Sequence, residues 1–508
     1  MKKTISLSLL AALAAFSANA DTYYIVDNGT YFNNPSAAKI TDPSDGNERP
    51  MHSIARNFNS NAQYSGSTAY NWAKSFTTED GVPTYEYYTD TNATPGENDD
   101  VIINFQNNAS DSSQGKCYSQ IGTLTLTQDT TINSLTIGTI RDQWLMFKAN
   151  DKNFTIKGDL NYNSNQFSYI ELSWKSALNI GGTLNMNGTT GNPFILGRLW
   201  GGAKEITINK IVFQSDKSNL YMGLNNSSAG YHSNVLNGAD FGATSAKLNL
   251  GYYSSKSANQ FFAFNGISGT NAAATITTSS ANETGLDGTE STLVFTNDKD
   301  ATFNGIVTNT VKTITKESIS YNIDTTLNVV MDGSKKQILS GANDFKGTIT
   351  VKGGTLLLNT ASGAKHGILT MTDGAFGAYG NTNVEAISYQ GGSFYANADA
   401  IANGYSITTD GAFTKATEEQ VYIDFDGLDA SAYDGTYSLI TAGSFIDATG
   451  NSLTAADFSA KNLLNGSANF VFDGNTLKVS FAAVPEPATI AAILGAAALA
   501  FAAYRRRK

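Results

Sequence analysis

The chain of 508 residues has little of the usual catalytic apparatus. Cys117 is its one cysteine, so no internal disulfide can form and folding has to rest on strand pairing and core packing. The three histidines, His52, His232 and His366, lie far apart in sequence. No H-E-x-x-H, G-x-S-x-G or cysteine-pair motif occurs, which argues against imidazole-metal and hydrolase-type chemistry. Charged residues are sparse at 15% and the net charge is −11. That sign argues against nucleic acid, whose affinity comes mainly from cations neutralising phosphates. Proline is scarce too, at 8, while glycine reaches 47 and Asn, Ser and Thr abound. Such a composition suits short strands joined by many tight turns rather than a helix-rich cytosolic enzyme.

The two ends carry the clearest signals. Met1-Lys2-Lys3, an apolar stretch from Ile5 to Phe16 and Ala18-Asn19-Ala20 have the charged, apolar and small-x-small order of an export signal. The apolar run is short of the roughly 20 residues a bilayer span needs, so residues 1–20 are expected to be removed by signal peptidase after Ala20. At the other end Val484-Pro485-Glu486-Pro487 precedes a run of Ala, Ile, Leu and Phe from Ala488 to Ala503, then Tyr504, Arg505, Arg506, Arg507 and Lys508. An apolar helix with a cationic end can enter a membrane, its backbone self-satisfied and its cations left on the cytoplasmic side. The prolines separate this tail from the folded part.

Residues 484–508 resemble the PEP-CTERM sorting signal of Gram-negative bacteria, through Pro485, Glu486 and Pro487, the short apolar helix, and Arg505, Arg506 and Arg507. The resemblance implies transient inner-membrane anchoring, recognition by an exosortase, removal of the tail near Pro485 to Pro487, and delivery to the cell surface or extracellular matrix. Loss of both ends takes away Lys2, Lys3, Arg505, Arg506, Arg507 and Lys508 against the single Glu486, so the mature part is more acidic than the whole.

Between the ends the texture changes twice. Residues 21–96 are aromatic and irregular, and are read as a cap over the end of a repetitive body. From 97 to 445, short β-branched runs alternate with turns. Phe154-Thr155-Ile156-Lys157-Gly158-Asp159-Leu160-Asn161 reappears as Leu178-Asn179-Ile180-Gly181-Gly182-Thr183-Leu184-Asn185 at an offset of 24, and Ile132 precedes Ile156 by the same 24. A shorter series runs Gly353-Gly354-Thr355-Leu356, Asp373-Gly374-Ala375-Phe376, Gly391-Gly392-Ser393-Phe394 and Asp410-Gly411-Ala412-Phe413. All-β repeats of this length point to a parallel β-helix, a β-solenoid in which Leu356, Phe376, Phe394 and Phe413 form one interior column. A sandwich of antiparallel hairpins is the competing arrangement. At about 4.8 Å per stacked strand the solenoid would be a rod of roughly 75 to 90 Å. Thr454-Ala455-Ala456-Asp457 reads as a capping box opening a short helix to about Leu464, within a closing segment 446–483 that also holds strands.

The stretch Phe345-Lys346-Gly347-Thr348-Ile349-Thr350-Val351-Lys352-Gly353-Gly354-Thr355-Leu356-Leu357-Leu358-Asn359 closely resembles the autotransporter-associated β-strand repeat. Asn71-Trp72 and Pro95-Gly96-Glu97-Asn98-Asp99-Asp100-Val101 resemble the start of such passenger domains. The resemblance implies the same solenoid fold. No outer-membrane barrel sequence follows Phe481; the sorting tail stands in its place.

Two clusters are candidates for ligands. Asp424, Asp426 and Asp429 could approach a calcium ion if alternation brings the first two to one strand face, although calcium wants six to eight oxygens and a solvated strand face is the simpler reading. Trp72, Tyr87 and Tyr88 could stack on sugar rings, or could be the cap's own core. Otherwise no cofactor is expected. The expected function is a non-catalytic structural or adhesive surface protein. The alternative is a protein that binds extracellular polysaccharide, or a lyase or glycosidase built on a β-helix.

Overall fold

The computed structural model describes residues 21–26, 39–41, 48–50, 55–61, 71–79, 82–104, 122–138, 145–149, 151–164, 168–172, 175–197, 204–223, 232–251, 260–278, 290–316, 319–483 and 487–506. The fold is all-β, with long sheets of parallel strands, and it divides into two compact units. One comprises residues 1–292 and 310–325, the other 293–309 and 326–508. The body expected as one stretch from 97 to 445 is thus split, near where the hairpin of Val311–Lys316 and Ile319–Asp324 interrupts the succession of parallel strands.

In the first unit the repeat offset is the pairing register. Phe154, Thr155 and Ile156 lie beside Leu178, Asn179 and Ile180, and Leu160 and Asn161 beside Leu184 and Asn185. Ile132, Ile156, Ile180, Ile208, Val235 and Phe264 follow one another as Cα partners from strand to strand. A second column runs Val101, Leu135, Leu160, Leu184, Ile211, Ala239, Ile267, and a separate sheet stacks Leu124, Phe147, Ile170, Leu196, Met222 and Leu250. Every one of these side chains is buried. Strands only three to five residues long suffice because each alternates inward apolar with outward polar residues.

Outward positions carry amide ladders. Asn185 Nδ2 donates to Asn161 Oδ1 (2.8 Å), Asn237 to Asn209 (2.6 Å) and Asn249 to Asn219 (2.9 Å). Stacked amides of this kind satisfy one another along the direction of strand addition. Their spacing rises from 24 to 28 and 30 residues. The added residues enter at corners, so the columns stay in register.

The second unit starts its ladder with Thr326–Asn343 beside Ile349–Thr360. Leu356 pairs with Phe376 and Phe376 with Phe394, as the motif spacing requires. Phe413 does not continue that column. It pairs with Ile387, in the neighbouring column of Ile349, Leu369, Ile387, Phe413 and Phe445, while Phe394 is followed by Ile423. The cause is an inserted helix, Ala398–Asn403, capped by the Asn397 side chain accepting from Ala400 N and ended by Gly404 in the left-handed region.

The glycines show the same shift. Gly354, Gly374 and Gly392 have φ of +61°, +68° and +83° and stack at one corner, where a Cβ on Gly392 would lie 2.5 Å from the Gly374 carbonyl. Gly411 sits at another corner, without a left-handed φ, against the Glu385 carbonyl. Both columns are interior, and Phe394 and Phe413 pack ring to ring at 5.7 Å.

Two further expectations are corrected. The capping box at Thr454 and Asp457 is formed, but it opens only the 3-10 turn Ala455–Asp457; Phe458–Leu464 is a strand, held by its pairing with Val421–Asp429. The N-terminal cap is also more regular than expected, with a hairpin of Ala73–Glu79 and Val82–Tyr87 beside Thr22–Val26.

The Gly corner generates a prediction. Gly392→Ala should cost at least about 2 kcal/mol in urea unfolding, because it adds a steric collision to left-handed strain. Gly363→Ala, with φ +78° but open space around it, should cost about 1 kcal/mol. Equal costs would contradict the stacked corner.

Candidate functional site

The acidic cluster lies where the Val421–Asp429 strand breaks step. Asp426 (φ +52°) and Gly427 (φ +78°) form a bulge, and the ladder register shifts between Asp424 and Leu428. Asp424 Oδ1 accepts from Asp426 N (2.9 Å) and Asn462 Nδ2 (2.9 Å). Asp429 caps the turn that follows, accepting from Ser431 N and Oγ and from Asn465 Nδ2; these bonds, Ser431 foremost, hold its carboxyl below the usual range. The three carboxylates therefore hold a bulge and a turn in shape. Among the described residues no group of three or more His, Cys, Asp or Glu is placed to hold a metal.

Asp426 faces a pair of residues that sequence reasoning did not single out. Lys336 Nζ donates to the Tyr395 hydroxyl (2.8 Å) and lies 4.8 Å from its ring centre, and that hydroxyl donates to Asp426 Oδ2. Burial first, and then the Asp426 carboxylate, push the Tyr395 phenol well above its ordinary range, so it stays protonated as a donor. Tyr395 is buried in a cluster with Leu357 and Ala375, over Gly377, where a Cβ would come within 2.5 Å of the Tyr395 carbonyl. The chain of ammonium, phenol and carboxylate ties the bulge to a strand 90 residues earlier. No motif announces it.

The aromatic cluster is a core. Trp72 is fully buried, edge-on to Tyr23 (5.8 Å) and Phe58 (5.0 Å), so it offers no face to a sugar. Its backbone N–H donates to Asn61 Oδ1, and Asn61 Nδ2 in turn donates to the carbonyls of Tyr88 and Asp90. Tyr88 is half-buried, stacked on Tyr23 at 4.5 Å with Lys74 5.6 Å from its ring centre. Tyr87 is half-buried at the end of its hairpin strand. Of the two alternatives, Trp72 fits the cap's own core and not a stacking platform.

Of the histidines, His52 and the side chain of His232 lie outside the described residues, as do Ala18, Ala20, Pro485, Glu486 and Arg507. His366 is buried: Nδ1–H donates to the Phe345 carbonyl (2.7 Å), and Nε2 accepts from Thr360 Oγ1 (3.0 Å), which itself accepts from Asn383 N. The ring also packs on Phe345 at 4.1 Å. Burial lowers its pKa from 6.5 to about 4.

Compared with models of known protein families and with curated proteins, the chain has no match in either.

The His366 network makes a pH prediction. The imidazole is neutral in the fold, whereas the unfolded chain takes up a proton below 6.5, so the stabilisation is complete above that pH and is lost as pH falls towards 4. The loss should amount to about 3 kcal/mol, from roughly 1.4 kcal/mol per pKa unit. Urea melts of the wild type and of His366→Gln at pH 7 and pH 4.5 check it: the variant should lack this part of the acid slope.

Proposed function

We propose that this chain is the precursor of an exported, non-catalytic structural or adhesive protein, whose body is a parallel β-helix and whose C-terminal tail is a sorting signal. The observation that carries the reading is the helix Pro487–Arg506, which follows the last strand, Thr476–Ala483. Its Ile493, Leu494, Leu499 and Phe501 are each more than 60% exposed, and Arg505 and Arg506 close its last turn. A helix apolar on all sides belongs in lipid rather than in water. Twenty residues at 1.5 Å each give the helix a length of about 30 Å. Among the described residues no helix is long and apolar enough to cross a membrane, but the side chains of 487–490 and 492 lie outside that set.

The β-helix reading is supported by the in-register columns at offsets that match the sequence repeat. A structural role is supported by what the perturbed groups do: His366, Tyr395 and Asp429 have hydrogen-bond partners that brace corners, bulges and turns. In this account signal peptidase and then an exosortase process the chain, and the repetitive body is presented at the cell surface or in the extracellular matrix. Extracellular polysaccharide is the partner class such a surface would meet.

Mass spectrometry of the protein recovered from the cell surface tests the sorting reading. The C-terminal peptide should end close to Pro485–Pro487 and lack Arg505 to Lys508. Recovery of mature surface protein with residues 488–508 still attached would refute it. Deleting 488–508 should leave folding intact and abolish retention at the surface.

A further inference from the structure

Asp21 is the first of the described residues, and it follows Ala18-Asn19-Ala20 in the sequence. Its backbone nitrogen lies 3.1 Å from Asp99 Oδ1, while the other oxygen of that carboxylate accepts from Gly96 N at 2.8 Å. Its carbonyl accepts from Asp100 N at 3.0 Å, and from Thr22 onward five residues pair in parallel with Asp100–Asn104. Tyr23 is buried at this point between Tyr88 and Trp72.

Resting on the reading that residues 1–20 are a cleaved export signal, we infer that the cleavage is also a structural step: the ammonium group released at Asp21 docks on the Asp99 carboxylate and latches the first strand of the mature chain in place. In the precursor the same nitrogen is a neutral amide donor. After cleavage it is a cation with three hydrogens, and a charge-assisted bond of this kind is roughly twice as strong as a neutral one.

The surroundings call for a cation. The carboxylates of Asp21 and Asp99 lie near the phenols of Tyr23 and Tyr88, and Glu86 near Tyr88 as well; burial first, and then the nearby charges, raise both phenols above their ordinary range. The described lysines nearby are engaged with other partners: Lys74 with Glu86 (3.4 Å), and Lys157 with Glu97 (3.9 Å) and Asn98 (3.2 Å). Asp100 is turned to Asn133 Nδ2 and Ser134 Oγ. The position beside Asp99 is therefore left to the α-amino group.

The test uses the processed, full-length mature protein. N-terminal sequencing by mass spectrometry comes first; a terminus other than Asp21 rejects the signal-cleavage reading itself. With Asp21 established, acylation of the α-amine by an amine-reactive ester at pH 7 is followed on the N-terminal peptide. The ion pair should hold the amine protonated and slow its acylation about tenfold relative to Asp99→Asn, the effect of one pKa unit. Equal rates in the two proteins overturn the latch. Should Asp99→Asn fail to fold, a chain with one additional glycine before Asp21 serves instead. It keeps the Asp21 amide but moves the charge away. Its amine should react at the unprotected rate, and protection equal to that of the native terminus overturns the proposal.

Discussion

Everything in this molecule depends on the parallel backbone ladder, in which each short strand finds its hydrogen-bond partners on the strand one repeat earlier and one repeat later. A three-residue strand such as Phe154–Ile156 has no stability of its own. It is held because its peptide groups are paired on both sides and its inward side chains lie over like side chains. Isoleucine over isoleucine at 132, 156 and 180 keeps the interior packed without a new solution at each step. The same constraint leaves the corners free, since residues added there disturb neither the pairing nor the column. That is why the spacing can grow from 24 to 28 residues while Ile180 still meets Ile208.

A ladder has two ends, and unpaired ends invite other chains. In each unit one end of the ladder is built differently. At the start, Thr22–Val26 lies parallel to Asp100–Asn104 and beside the antiparallel hairpin of Ala73–Glu79 and Val82–Tyr87, and Trp72 packs edge-on to Tyr23 and Phe58. Towards the finish, the ladder gives way to the antiparallel pair Gly466–Asp473 and Thr476–Ala483, and Phe445, Phe458, Phe470 and Phe472 pack against one another beneath it. Lys415, nearly buried, meets Asp457 at 3.0 Å there, an ion pair that ties the 3-10 turn Ala455–Asp457 to the strand Ala412–Lys415.

Much of the ladder was legible in the sequence because its register is a repeat: residues that stack are spelled alike at a fixed offset. The same property caused the main misreading. Asp410-Gly411-Ala412-Phe413 repeats the spelling of Asp373-Gly374-Ala375-Phe376, and its spacing after Phe394 is close to that of the preceding repeats, so the spelling points to the column of Phe394 whereas Phe413 stands in the neighbouring one. The helix at Ala398–Asn403, which lengthens the segment between Phe394 and Phe413, has only a short signal of its own. The capping box at Thr454 was legible as a box but not in its consequence, because the partner strand Val421–Asp429 overrides the local helical preference. For the side-chain clusters, legibility ended sooner. Lys336, Tyr395 and Asp426 come together from positions 59 and 31 residues apart, through a bulge that no pattern foretells. Trp72 was legible as important, but whether an aromatic lies inside or outside a cap depends on packing that spacing does not encode.

The most direct measurement of the central claim is a register-specific cross-link. Asn161 and Asn185 are partners on neighbouring parallel strands, and their outward side chains already touch. Adjacent strands lie about 4.8 Å apart, within the span a disulfide accepts. In a chain with Cys117 replaced by serine, the pair Asn161→Cys and Asn185→Cys should oxidise quantitatively to an intramolecular disulfide, whereas Thr155→Cys with Asn185→Cys should stay reduced. Cross-linking of the second pair, or free thiols in the first, would mean that the strands are not stacked at the repeat offset, and the account built on that ladder would fall.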